Sequence, residues 1–564
     1  MNNNNRKFKP SYWHNPGARP LTPLTLGQVI DLAAEQWGDK EAVVSLYQGQ
    51  RFTFREARDK ADEVAAGLLQ LGLNPGDRLA IWGPNSIEWY ICRLAAARGG
   101  FIAVQLDPAY QAPQLMFSLN KAEVKAIISS EFYKTNSCYE ILRTVIPELD
   151  SCPESGVKLQ AAKVPTLETL ILMGDKQYRG AYRLSDVMAS AKPEFLQKIK
   201  DLQTLIQPDE GCSIQFSSGT TGTPKGVLLS HHNVVNTIYS WFSDKKIGFH
   251  NSKMPAITQF CHASGCQGVI FTGLGNGNTC LIPAPVFEPR KMLEAIIQEK
   301  CNTVLGTPAL YVDMIAAARE HGLKPTSLQA ALCGGAPCSL QLFEDIKKVL
   351  NVKNVILGYG MTEAVAIFLP VPDGPKDHTI VGRVAPHTEV KVVNKEGRMV
   401  PMGTPGQLCV RGYSVMLGYW NDEEKTREYM GRDGWAKTGD EFVLEEGGWG
   451  RIVGRIKDVI IRIGDKIFPA EMEDFFMEHP DVMEVEVLGV PDPRVGEEIC
   501  VYLRVREEAN LTEDDIRNYC KDKIPEYRVP RYIRFVKKFE RTVIGKIQKF
   551  RLLEQLKKEL GLPD

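Results

Sequence analysis

Residues 213–226 read Ser-Ile-Gln-Phe-Ser-Ser-Gly-Thr-Thr-Gly-Thr-Pro-Lys-Gly, a strand-like run that opens into hydroxyl side chains and glycines and ends on Lys225-Gly226. Glycines let backbone amides come close to anionic oxygens, the five hydroxyl residues add donors, and Lys225 supplies a point charge. A decapeptide of this composition directly behind a buried strand predicts a phosphate-holding loop at the end of a sheet; a flexible surface loop is the competing reading. A Walker loop is excluded, because its glycine spacing differs and its Lys is followed by Ser or Thr, whereas Gly226 follows Lys225.

Upstream of this loop, helix and strand signals alternate. A helix is expected near Leu26 to Trp37, then an apolar strand over Ala42 to Leu46. Thr53-Phe54-Arg55-Glu56 is a capping box, Ala57, Ala61, Val64, Ala65 and Leu68 follow at helical spacing, and Gly72 stands where a left-handed residue would stop the helix. Strands over Arg78 to Trp82, from Phe101 and around Ile127, with a helix entered at Ser86, continue a rhythm that predicts covered parallel sheets. From about Gly434 the strands shorten and turns crowd together, and the last ~110 residues read as a compact α+β module. The junction is placed near Lys457.

The chain has 564 residues, about four packing units at the usual domain size, and is 43% hydrophobic with 68 basic and 69 acidic residues. Such a balance gives no electrostatic surplus for nucleic-acid binding. Thirteen cysteines without a CxxC pair indicate neither a disulfide framework nor a zinc ribbon. Residues 254–287 carry no charge, yet Gly, Pro, Asn and Gln interrupt them, which predicts buried helix and turn and no membrane span. The Asn-rich N-terminus shows no import signal, so a cytoplasmic location is expected. The sequon at Asn510 reads as a helix start at Thr512, and His231 and His232 behind Ser230 read as structural.

The loop Ser217, Ser218, Gly219, Thr220, Thr221, Gly222, Thr223, Pro224, Lys225, Gly226 resembles the signature of the adenylate-forming superfamily of acyl-CoA synthetases, luciferases and adenylation domains. Cys333-Gly334-Gly335-Ala336-Pro337, Gly358-Tyr359-Gly360-Met361-Thr362-Glu363, Thr438-Gly439-Asp440, Gly454-Arg455-Ile456-Lys457-Asp458 and Gly545-Lys546-Ile547-Gln548-Lys549 follow in the family's order. Phrases such as WGPNSIEWY, DPAYQA and RGYSVMLGYW further resemble the acyl-CoA synthetase family member 2 subgroup of medium-chain ligases. The resemblance implies an α/β chain, with a large N-terminal domain of covered mixed sheets (1–456) and a small mobile α+β C-terminal domain (457–564).

It also implies roles. Gly334, Gly335, Ala336, Gly358 and Tyr359 would form the adenine site, and Asp440 with Arg455 the ribose and phosphate contacts. Thr362, Glu363 and Lys225 would act at the triphosphate, with Thr220 and Glu363 as magnesium ligands. Lys546 would neutralise charge during adenylation, Lys457 would be the hinge, Gly464 would flank the coenzyme A tunnel, and His262 would face the acyl pocket. Bland alternatives stand beside these: a turn Asp440, a helix-start Glu363, a solvated Lys546 and a core His262. The uncharged stretch around His262 would wall an apolar acyl channel, at about 0.8 kcal/mol per buried CH₂.

Two departures from the family pattern bear on this. Glu540 and Ile544 replace a proline and a serine before Lys546, which is expected to loosen the turn presenting it, and Gln259-Phe260-Cys261 replaces Pro-Leu-Tyr before His262. The expected activity is ATP-, Mg²⁺- and coenzyme A-dependent ligation of a fatty acid. A luciferase-type oxygenase, a catalytically silent binder, a stand-alone amino-acid adenylation protein and, for location, the mitochondrial matrix are the alternatives.

Overall fold

The computed structural model describes residues 9–217, 224–241, 250–336, 338–371, 374, 377, 379–463, 465–506, 508–521, 523–542 and 545–562. Among these, the alternating first half builds an eight-stranded sheet ordered Ala181–Arg183, Thr169–Leu172, Ala126–Ser129, Arg78–Trp82, Ile102–Leu106, Gly211–Ser217, Lys225–Ser230, Gly418–Tyr419. Its first six strands are parallel, as the rhythm predicts. Beyond the phosphate-loop sequence the chain turns back antiparallel, pairing Lys225 with Ser217, so the sheet is mixed at the edge that carries the loop. Residues 218–223 of that loop lie outside the described residues.

Local chemistry sets the helix ends. The helix Phe54–Gln70 begins where Thr53 Oγ1 accepts the Glu56 amide at 3.2 Å and the Glu56 carboxylate accepts the Thr53 amide at 2.8 Å. It ends at Gly72, whose φ of +96° lets the Leu73 amide reach back to the Leu68 carbonyl at 3.1 Å. Ser86 caps the buried helix Ile87–Arg98, its hydroxyl accepting the Trp89 amide at 3.1 Å. Thr512 likewise caps Glu513–Cys520.

A ten-stranded sheet forms the second layer and is largely antiparallel; only Thr303–Gly306, Ala330–Gly334 and Asn354–Met361 run parallel to one another. The crowded turns after Gly434 still belong to it, through Ala436–Glu445 and Trp449–Arg455. The next strand, Ile460–Arg462, joins a separate five-stranded sheet with Asp465–Ile467, Val482–Asp492, Gly496–Val505 and Tyr532–Phe535. The change of sheet therefore follows the change of texture by some twenty residues, because short antiparallel strands look alike in either sheet. The uncharged stretch adds to its buried helices the strand Thr279–Ile282, which pairs with Glu41–Ser45 and with Lys253–Pro255; short apolar runs do not distinguish strand from helix.

His231 begins the helix His231–Trp241, and its Nδ1 accepts the Leu26 amide at 3.1 Å. Burial, aided by the charge of Arg93, lowers its pKa to about 3. The unfolded chain binds a proton near pH 6.5 that the folded chain refuses until about pH 3, so stability is unaffected above 6.5 and falls as the pH drops between these values. His231→Asn keeps an acceptor for the Leu26 amide and cannot titrate; in urea unfolding it should remove about one proton from the acid slope of stability.

Candidate active site

The cleft is built from the ends of strands in both large sheets. Gly334 and Gly358 are register partners, and a side chain on Gly334 would press to 3.2 Å against the Gly358 carbonyl. Gly335 has φ +84°, a left-handed conformation that glycine adopts without strain, and Ala336 beside it is exposed. This leaves a shallow backbone-lined floor, with Tyr359 on the strand Asn354–Met361 nearby.

Asp440 and Arg455 are paired across Ala436–Glu445 and Trp449–Arg455, so sheet register itself sets the Arg455 guanidinium beside Asp440, 2.9 Å from Oδ1. Tyr359 donates its hydroxyl to Asp440 Oδ2, and the Asp440 amide donates to Thr438 Oγ1 at 3.2 Å. Burial raises the Asp440 pKa, and Arg455, Tyr359 and Lys546 oppose the rise. Asp440 is thus a buried, partnered carboxylate rather than a solvated turn residue.

Glu363 follows Thr362 in the turn between Asn354–Met361 and Ala364–Leu369, which replaces the helix-start alternative with a hairpin. Its Oε1 accepts from Ser217 Oγ at 3.1 Å and Tyr419 Oη at 3.0 Å, and Oε2 takes no hydrogen bond among the described residues. Lys225 lies 5.0 Å over the Tyr419 ring. Tyr419 thereby joins the phosphate-loop strand to the acid; it sits in the phrase RGYSVMLGYW, where an aromatic run alone signals only core.

Lys546, exposed to solvent, stands beside these groups. Its Cε is 3.9 Å from the point a Gly335 side chain would occupy. Desolvation beside these groups lowers its pKa, Arg455 adds to the fall, and Asp440 and Glu363 resist it. It is thus a surface lysine whose charge acts on the site. Among the described residues of the turn before it, the Thr542 amide donates to the Lys546 carbonyl at 2.8 Å, the Lys546 amide to Thr542 Oγ1 at 3.2 Å, and the Arg541 guanidinium to the Gly545 carbonyl at 2.7 Å. Val543 and Ile544 lie outside the described residues.

His262 faces the same lysine. Burial and the Lys546 charge lower its pKa to about 4, so it is neutral at pH 7, and its buried Nε2 has no hydrogen-bond partner. The uncharged segment around it is buried but not uniformly apolar: Thr258 Oγ1, Gln259 Oε1 and both amide ends of Gln267 are buried without partners. Lys457 lies in the exposed turn after Arg455, and Pro224 stands at the foot of the Lys225 strand. Ser218, Gly219, Thr220, Thr221, Gly222, Thr223 and Gly464 lie outside the described residues. Arg541, which braces the lysine turn, carried no signal in the sequence.

A divalent cation fits here in a limited way. No group of three or more His, Cys, Asp or Glu is clustered among the described residues, so a hard cation would rest on Glu363 and on oxygens of a bound polyphosphate.

The AMP-binding enzyme family matches residues 30–420, and the AMP-binding enzyme C-terminal domain matches residues 471–546. The medium-chain acyl-CoA ligase ACSF2, mitochondrial, of Danio rerio is 40% identical over 561 residues, covering 98% of this chain and 91% of that protein. The putative acyl-CoA synthetase YngI of Bacillus subtilis is 32% identical and covers 95% of this chain and 97% of its own. In three dimensions, the anthranilate CoA ligase AuaEII in complex with anthranoyl-AMP superposes with a TM-score of 0.83 at 23% identity, over 96% of this chain and 99% of that one. With the family spanning most of the sequence and the fold shared end to end, the chain belongs to the AMP-binding enzymes.

Proposed function

We propose that the protein is an AMP-forming acid–coenzyme A ligase acting on medium-chain carboxylic acids. The observation that carries this reading is Lys546 beside Gly335, near enough to His262, Asp440, Arg455 and Glu363 for its charge to act on theirs. A carboxylate oxygen attacks the α-phosphorus of ATP, the bond to pyrophosphate breaks, and acyl-AMP forms. The coenzyme A sulfur then attacks the acyl carbon, AMP leaves with the bonding pair, and the thiol proton passes to solvent.

The residues serve the first step by position and charge. Asp440 offers acceptors to ribose hydroxyls, Gly334, Gly335 and Tyr359 frame the base, and Ser217 and Lys225 stand at the phosphates. Neutral His262 has a free ring nitrogen for the attacking carboxylate, which Lys546 also reaches, so charge is neutralised as the new P–O bond forms. Mg²⁺, held by Glu363 with Thr220, would screen the phosphate charge. For the second step, we take Lys457 as the pivot on which residues 457–564 rotate, bringing Gly464 to the site. The relatives' description as medium-chain acyl-CoA ligases supports the acid class, and their description as mitochondrial favours the matrix over the cytoplasmic expectation. No helix among the described residues is long and apolar enough to cross a membrane.

The test is pyrophosphate and AMP release with MgATP and straight-chain acids from butyrate to myristate, with and without coenzyme A. Turnover that requires coenzyme A and peaks within the medium range is expected; pyrophosphate without thioester, or no release with any acid, overturns the reading. Lys546→Ala should slow adenylation roughly a hundred-fold or more, while thioester formation from supplied acyl-AMP persists.

The depressed Lys546 pKa gives a second prediction. Its charge is present at low pH and is lost below the ordinary lysine value of 10.5 as the pH rises, so the adenylation rate should show an alkaline limb. Lys546→Arg, permanently charged, should be slower at pH 7 and lack that limb in single-turnover assays.

A further inference from the structure

The turn that carries Lys546 rests on the start of the helix Pro308–His321. A side chain on Gly545 would stand 3.3 Å from Ala309 Cβ, 3.5 Å from Thr307 Oγ1 and 3.7 Å from Leu310 Cδ2. The fit is close, but a glycine set against an alanine buries little apolar surface, and so little hydrophobic stabilisation comes from it. A contact this slight needs a further attraction to hold the C-terminal module in place.

Asp313 stands four residues beyond Ala309 and three beyond Leu310, on the same face of the helix and one turn further along. It is half-buried. The module sets cations against it. Glu484 and Arg504 are register partners on the strands Val482–Asp492 and Gly496–Val505, and Arg504 and Arg541 both pair with Glu484. Two guanidinium groups thus share one carboxylate within the module, and the exposed Lys538 adds a third positive charge.

The influence runs both ways across the seam. Burial raises the pKa of Asp313, and Arg541, Arg504 and Lys538 oppose the rise; burial lowers the pKa of Arg541 and of Arg504, and Asp313 opposes the fall in each. Asp313 acts on these groups through space and not by an ion pair among the described residues. Such an attraction is weakly directional and screened by salt, which suits a contact that forms and separates. Arg541 connects it to the chemistry, because the same guanidinium donates to the Gly545 carbonyl at 2.7 Å, one residue before Lys546.

We propose that Asp313 is a positioning residue: it draws Arg541 and Arg504 to the helix Pro308–His321 and thereby docks the turn that presents Lys546 for adenylation. This rests on the ligase reading above and names the group in the large domain that holds its first-step arrangement. Asp313 touches neither ATP nor the acid, so its loss acts through the module and only on the step that needs Lys546 in place.

The experiment measures the two half-reactions apart at saturating substrate: single-turnover pyrophosphate release from MgATP and octanoate, and thioester formation from supplied octanoyl-AMP and coenzyme A. Asp313→Asn should slow the first roughly five- to ten-fold and leave the second at least as fast as in the wild type, while Asp313→Glu restores most of the first. Raising sodium chloride from 50 to 500 mM should slow wild-type adenylation more than thioester formation, and this difference should shrink in Asp313→Asn. Adenylation by Asp313→Asn at the wild-type rate, or an equal fall in both half-reactions, overturns the inference and leaves the ligase reading standing. Absence of wild-type pyrophosphate release with any acid overturns both. Should Asp313→Asn fail to fold, the wild-type salt response decides the matter, and an equal effect on the two half-reactions counts against Asp313.

Discussion

A lysine ammonium brought beside a guanidinium is unfavourable in isolation, and the arrangement of the site depends on how that charge is balanced. Lys546 and Arg455 bring two positive charges to one site, and Asp440 and Glu363 bring two negative ones. The pairing is delivered by the fold, since Asp440 and Arg455 are opposed across adjacent strands and Glu363 is pinned by hydroxyls from Ser217 and Tyr419. Removing Arg455 would leave the buried carboxylate of Asp440 with less compensation for its charge. Under the ligase reading, a bound triphosphate adds negative charge and holds the lysine in place, and departure of pyrophosphate withdraws it. The same electrostatics that docks Lys546 for adenylation then releases it.

The seam between the large sheets and the C-terminal module has a matching character. Gly545 packs where an added side chain would meet Ala309 at 3.3 Å, and its φ is +80°, so both space and backbone require glycine there. Asp313, on the helix Pro308–His321, is raised in pKa by burial and steadied by the charges of Arg541, Arg504 and Lys538. Arg541 in turn pairs with Glu484 within its own module while bracing the lysine turn. Contacts of this polar kind separate at less cost than an apolar interface of equal area.

What could be read from sequence was whatever is encoded by neighbours along the chain. Thr53 with Glu56, Ser86 and Thr512 cap their helices because a cap is decided within three residues. The parallel strands were legible from period and turn spacing, whereas the antiparallel character of the second sheet was not, since pairing such as Tyr12–Asn15 with Thr388–Val393 joins residues hundreds of positions apart. The motif residues around the cleft were legible only as members of a family pattern. The bracing by Tyr419 and Arg541 lay outside that pattern, because nothing local distinguishes a core tyrosine or a tail arginine from one that holds a catalytic group.

The uncharged stretch around His262 shows where composition misleads. Absence of charge suggested an apolar wall, but glutamine and threonine are uncharged and still demand hydrogen bonds. Thr258, Gln259 and Gln267 bury polar atoms there without partners. The magnitudes determine what such a lining selects. Each methylene a channel buries contributes about 0.8 kcal/mol, while each buried polar group left unmatched costs about 1–3 kcal/mol, and more when it is charged. In a lining built this way, the polar atoms of Thr258, Gln259 and Gln267 weigh against a plain hydrocarbon chain as heavily as several buried methylenes weigh for it.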